Sequence, residues 1–335
     1  MDRTEVLERL EPVLNHQVRE IEHNPRTRVV MTPDMVTFRP GGGAHTMEMT
    51  KEGVQSMAGF IGLPFNVAAR LRPETFSNAA TELLGGKNRY ALVLKDGAVT
   101  AVTKRGEFHN VNPERVLTSI ERGIPGVEFH RVLILANFVA SLEVVGERRQ
   151  PVNRGDLIQA GAQITFSPMG TVNPLVQSYV LRLACTNGAT ANTILREYRY
   201  EGGGGGGDNG GNSGNGNLWQ WFQRSSRDAY NSLDVIVERY RRMMDERVEP
   251  AVRAQILEAL LREARITGKD AEAVRALALE NPPENSYDMM NLISNASSHI
   301  IERADRVRQA QLAVANYTHE DTHARICPVC HASRN

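Results

Sequence analysis

The chain has 335 residues, 41% hydrophobic and 23% charged, which is enough to bury at least one sizeable core and, at this length, to divide in two. Lysine plus arginine equals aspartate plus glutamate at 39 each, so no global field draws the protein onto nucleic acid or an anionic membrane, and a polyanion site has to be a local patch. Three cysteines exclude a disulfide framework, the charged stretch from Met1 to Asn24 lacks the apolar segment of an export signal, and no run approaches the ~18 apolar residues of a membrane span, so a reducing cytoplasm is the expected compartment.

From Asp2 to about His23, Val6, Leu7, Leu10, Leu14, Val18 and Ile21 recur at helical spacing, with Pro12 as a break or kink. Short strands are expected at 28–31 and 35–39 around Thr32-Pro33-Asp34. Gly41-Gly42-Gly43 then releases the chain into two or three short helices from Thr50, punctuated by Gly62-Leu63-Pro64 and Arg72-Pro73. Strands at 90–94 and 98–103 pair across Lys95-Asp96-Gly97, an Asp-Gly hairpin signal. A helix at 113–121 and a long strand or bent pair at 130–145 follow.

Strands at 157–166 and 177–184 alternate apolar and polar residues across Ser167-Pro168-Met169-Gly170 and Asn173-Pro174, a hairpin with one buried face. It ends in Cys185-Thr186-Asn187-Gly188, where Asn-Gly tolerates positive φ. Asp156 with Arg182, and Glu143 with Arg131, read as charge pairs on the sheet surface. Cys185 reads as a small buried hydrophobe rather than a nucleophile served by His109 or His130. Residues 27–200 therefore show an α+β pattern without regular β-α-β alternation.

Gly202 to Asn217 is low-complexity and reads as a flexible linker, since it lacks the Gly-Lys-Ser/Thr ending of a phosphate-binding loop. Helices are expected at 218–248, 252–266, 270–279 and 286–317. The expected organisation is an α+β unit over 1–201, the linker at 202–217, a helical unit over 218–318 and a tail over 319–335.

Two constellations carry chemistry. Trp219, Trp221, Arg224, Arg227 and Tyr230, with Arg196 and Arg199 across the linker, combine rings that stack on bases with guanidiniums that neutralise phosphates. The same residues are also spaced to dock a helix. In the tail, His319 and His323 are four apart and Cys327-Pro328-Val329-Cys330 makes a C-x-x-C, a ligand set for one structural zinc, the alternative being a frayed tail in which Cys and His fall together by chance. The metalloprotease spacing His319-Glu320-x-x-His323 is also met, but two thiolates nearby would close the open position such a metal needs. No catalytic residues are assigned.

Thr50 with Gly62-Leu63-Pro64, Arg89, Lys95-Asp96-Gly97-Ala98-Val99-Thr100-Ala101, Gly155-Asp156 and Arg182-Leu183-Ala184-Cys185-Thr186-Asn187-Gly188 form a set that resembles the phage/plasmid-like proteins of domain-of-unknown-function family 932. The resemblance spans 47–200 and, more weakly, 285–310. It implies a gene carried by phages, prophages or plasmids and a bacterial host cell. The chain departs from the family where a basic, His-containing segment commonly follows Cys-Thr-Asn-Gly; here the Gly-rich run stands. The expectation is a non-enzymatic protein, with no membrane partner, that binds single-stranded DNA or RNA in replication or recombination, as a homo-oligomer. The alternatives are a host-interaction or anti-defence protein that binds a host protein and, weaker, a zinc metallohydrolase.

Overall fold

The computed structural model describes residues 1–14, 16–22, 27–32, 35–39, 46–87, 89–104, 111–135, 138–153, 156–168, 170, 172–182, 190–200 and 213–318. The fold is α+β: two sheets, helices against each, and a run of helices at the C-terminal end. Among the described residues no helix is long and apolar enough to cross a membrane.

Helix α1 (Arg3–Leu10) is capped by the Asp2 carboxylate, which accepts from the Glu5 N–H at 2.9 Å. The helix expected over residues 2–23 ends there. Pro12 lies in a 3-10 turn, and β1 (Gln17–Glu22) pairs antiparallel with β5 (Arg89–Lys95), from Gln17 opposite Leu94 to Glu22 opposite Arg89. Val18 and Ile21 satisfy a helical period, but pairing with β5 decides the outcome, a tertiary contact outweighing a local pattern.

The remaining strands of the first sheet are β2 (Arg28–Met31), β3 (Val36–Arg39), β4 (Met47–Met49) and β6 (Ala98–Lys104), in the order β1-β5-β6-β4-β3-β2. The Asp-Gly hairpin is present as expected: Asp96 and Gly97 both take positive φ, 52° and 82°, the geometry that matches strand twist. Helices α2 (Lys51–Phe60), α3 (Phe65–Ala68) and α4 (Pro73–Gly85) accompany this sheet, and Phe38, Met57, Phe76, Leu84 and Leu92 lie in its core. At the outer edge, Ser77 Oγ and Thr81 Oγ1 of α4 accept the Met31 and Val29 N–H groups at 2.8 and 3.0 Å, so these strand donors are occupied.

The second sheet has five antiparallel strands in the order β11-β10-β9-β8-β7: β7 (Glu128–Leu135), β8 (Val139–Asn153), β9 (Asp156–Phe166), β10 (Leu175–Arg182) and β11 (Thr190–Arg199). The β9–β10 hairpin was expected with one buried face; both faces are buried. Leu142, Val144, Ala162, Ile164, Val176 and Val180 enter one hydrophobic core. The register sets Arg131, Glu143, Gln163, Gln177 and Glu197 in a single row across all five strands.

That core also takes α1, α5 (Pro113–Gly123), α6 (Ser213–Asn231), α7 (Leu233–Asp245), α8 (Pro250–Glu263), α9 (Lys269–Glu280), α10 (Ser286–His299) and α11 (Ala304–Thr318). Residues before and after the Gly-rich run thus contribute to one interior: Phe222, Tyr240 and Tyr317 join it with Phe166. The helix expected at 218–248 is two, broken at Ser232, whose Oγ lies 2.7 Å from Ser178 Oγ and 2.6 Å from the Ala229 carbonyl oxygen. The stretch expected at 286–317 is likewise two helices, separated around Ile301–Arg303. Between the two cores, Phe138 (φ 59°) rests on Val93 and Ala101 and stands edge-on to His16 at 4.4 Å.

Burial lowers the pKa of His16 below 6.5, and partial burial does the same to His130, although Glu143 pulls the latter back up. The unfolded chain therefore takes up these protons first. The stability held by the two neutral rings is complete above pH 6.5 and is lost as the pH falls toward the folded-state values. The thermal midpoint should accordingly decline between about pH 7.5 and about pH 5.5, and by less in His16→Gln. A midpoint constant across that interval would contradict the assignment.

Candidate nucleic-acid interface

Asn112 caps α5, its Oδ1 accepting from the Arg115 N–H at 3.2 Å, and Pro113 opens the helix at a position where no N–H is needed. Val116, Leu117 and Ile120 point inward, leaving Glu114, Arg115, Glu121 and Arg122 exposed. Helix α6 packs beside α5, and Gly123 permits the approach: a Cβ there would stand 2.6 Å from the Gln223 carbonyl oxygen. On α6, Leu218, Phe222, Ser225, Ser226, Ala229 and Tyr230 face inward. Gln220, Arg224, Arg227, Asp228 and Asn231 form the outer stripe.

Four exposed guanidiniums share the outer surface of the α5–α6 pair: Arg115, Arg122, Arg224 and Arg227. None forms an ion pair among the described residues. Arg227 reaches only the Arg122 carbonyl oxygen, at 3.5 Å. Of the acids on these helices, Glu121 is neutralised by Arg3 at 2.9 Å, while Glu114 and Asp228 stay exposed. Arg115 and Arg122 lie seven residues apart, two helical turns or about 10.5 Å along one side.

The aromatic residues divide between this surface and the core. Trp219 is half-buried, stacked with Phe222 at 6.2 Å and 21°, with the Arg115 guanidinium 5.6 Å from its ring centre. Its Nε1 is shielded from solvent and has no acceptor among the described residues. Trp221, also half-buried, packs edge-on against Tyr200 at 5.4 Å and Phe222 at 5.0 Å. Tyr230, expected to bind nucleic acid, is instead a core residue; its ring packs over Gly146 and its hydroxyl oxygen accepts the Arg148 N–H at 3.0 Å, so it presents no free face to a base.

Arg199 is exposed and paired with Glu197. Arg196 lies on β11. Arg115 and Arg122 were not singled out from the sequence; their signal is the i, i+7 spacing on the polar side of α5, visible once its apolar side is assigned. His319, His323, Cys327 and Cys330 lie outside the described residues, as do Cys185 and His109. Among the described residues no group of three or more His, Cys, Asp or Glu side chains could hold a metal ion.

The polar row of the second sheet corrects another expectation. Glu143, expected on the sheet surface opposite Arg131, is fully buried beneath α11. Its carboxylate accepts from Gln163 Nε2 and from Tyr179 OH, both at 3.3 Å, and from Gln311 Nε2. Arg308, one turn earlier on α11, donates to Gln177 Oε1. Burial pushes the Arg308 pKa down to about 10 despite the opposing pull of Glu143 and Glu197. Asp156 is buried as well, held by Arg182 Nε at 2.7 Å and Tyr287 OH at 2.9 Å. Glu143, Arg308 and Asp156 are each held by partners from other elements of the fold, so both groups read as structural. No family model, curated protein or solved structure matches the chain, so functional inference rests on this geometry.

Proposed function

We propose that the α5–α6 surface binds single-stranded nucleic acid through its phosphates, in the mobile-element setting that the family resemblance implies. The observation that supports this is the set of four exposed guanidiniums, unpaired among the described residues, beside a half-buried indole on a chain of zero net charge. A neutral chain has no long-range pull on polyanions, so binding would depend on this patch and be moderate and strongly salt-dependent.

The test is fluorescence anisotropy with labelled single- and double-stranded oligonucleotides over a salt series. Arg122→Gln, Arg224→Gln and Arg227→Gln together should weaken single-strand binding. The slope of log affinity against log salt should flatten by ~0.7 for each phosphate contact removed. The reading is lost if the triple variant binds as the parent does at every salt concentration.

A further inference from the structure

Helix α5 sets Arg115 where its guanidinium lies over the Trp219 ring, 5.6 Å from the centroid, while Phe222 stacks parallel to the indole at 6.2 Å. A guanidinium and a nucleobase seek the same feature of an indole, its flat electron-rich surface, the first by cation–π attraction and the second by stacking. Arg115 also belongs to the guanidinium set that would meet phosphates, and it forms no ion pair among the described residues that would hold it on the ring. One side chain therefore has two competing places: over Trp219, or on a phosphate.

From this juxtaposition we infer that Arg115 is a removable cover on Trp219, which a phosphate draws away so that the adjoining base takes its place on the indole. This rests on the α5–α6 surface being a nucleic-acid site and adds a specificity to it. A polyanion without bases can recruit Arg115 but has nothing to lay on Trp219. A nucleotide strand supplies both groups. The site thereby selects base-bearing polyanions over other polyanions of equal charge, without reading sequence.

The chain's two tryptophans make the test direct, since Trp221→Phe leaves Trp219 as the only indole. In that background, labelled oligo-dT is titrated while anisotropy and Trp219 emission are followed together, and inorganic polyphosphate is titrated in parallel as the base-free probe. Oligo-dT should bind with quenching of Trp219. Polyphosphate should compete for the surface without comparable quenching. Arg115→Ala should keep the oligo-dT quenching, flatten the salt dependence by ~0.7, and make Trp219 indifferent to polyphosphate. Arg115→Lys, which keeps the charge but loses the planar fork, serves as a second variant if circular dichroism shows Arg115→Ala to be misfolded. It should retain the salt dependence and likewise give oligo-dT quenching.

Binding of oligo-dT with unchanged Trp219 emission would overturn the inference while leaving the phosphate-binding reading intact. Equal quenching by polyphosphate would overturn it too. If oligo-dT does not bind at all by anisotropy, the reading of the surface itself fails, and this inference with it.

Discussion

Glu143→Ala should lower the unfolding free energy by about 3–5 kcal/mol, the loss expected when one partner of a buried charged network is removed. The side chain is fully buried, and three donors converge on it from β9, β10 and α11: Gln163, Tyr179 and Gln311. Alanine would remove the acceptor these three donors share, although Gln163 keeps its bond to Gln311 Oε1 at 3.0 Å, and would take from Arg308 one of the two acidic charges, Glu143 and Glu197, that offset its burial. Glu143→Gln keeps an acceptor oxygen and the shape, so its cost should be smaller, about 1–3 kcal/mol. Urea titrations of both variants decide the matter. An alanine variant that loses under ~1 kcal/mol would mean that water or a rearranged α11 satisfies these donors, and the network as described would be wrong.

Phe222→Ala is the second large effect, about 3–5 kcal/mol for an aromatic ring removed from a packed interior. Phe222 meets Phe166 edge-on at 6.5 Å, stacks with Trp219 and touches Trp221, so it joins α6 to the second sheet. Arg224→Ala, two positions along the same helix but on its outer stripe, should change stability by no more than ~0.5 kcal/mol. The pair separates the two jobs of α6: Phe222 should register in thermal or chemical unfolding and Arg224 in nucleic-acid affinity. Arg224→Ala destabilising the protein as much as Phe222→Ala would show that the outer stripe is itself an interface.

Local chemistry made some of this legible in the sequence. Asp96-Gly97 specified a hairpin because two adjacent residues tolerate positive φ, and the β9–β10 hairpin followed from alternation and turn residues. What stayed hidden depends on contacts distant in sequence. The Glu143 side of β8 reads as polar and therefore solvent-facing, yet its cover comes from Gln311, 168 residues away. Val18 and Ile21 match a helical period but sit in a strand, because β5 offers a partner that no local window contains. The breaks at Ser232 and near Ile301 carry no proline or glycine, the residues that usually announce them in a sequence. Within the site, the aromatic-basic composition of α6 was plain, and so was its spacing for docking a helix; what the letters left open was which rings the core takes, Tyr230 and Phe222, and what they did not show was that α5 supplies Arg115 and Arg122.

The arrangement of the two cores also bears on how the chain folds as it is synthesised. Strands β1 to β6, with α2 to α4, complete their interior from residues 21–102, whereas Val6, Leu10 and Val13 share theirs with Val307, Val314 and Tyr317. The first sheet is thus a contiguous excursion within a core that can close only when the chain has run past residue 317. Helix α1 finds its cover early, on α5 and β7, but at ~5–20 residues per second the second sheet would wait roughly 6–24 s after β11 has been made before α11 could lie against it. Throughout that interval Glu143 and Gln163 would lack Gln311 and the helix that buries them, which makes the second sheet, rather than the first, the part of this protein most dependent on protection during translation.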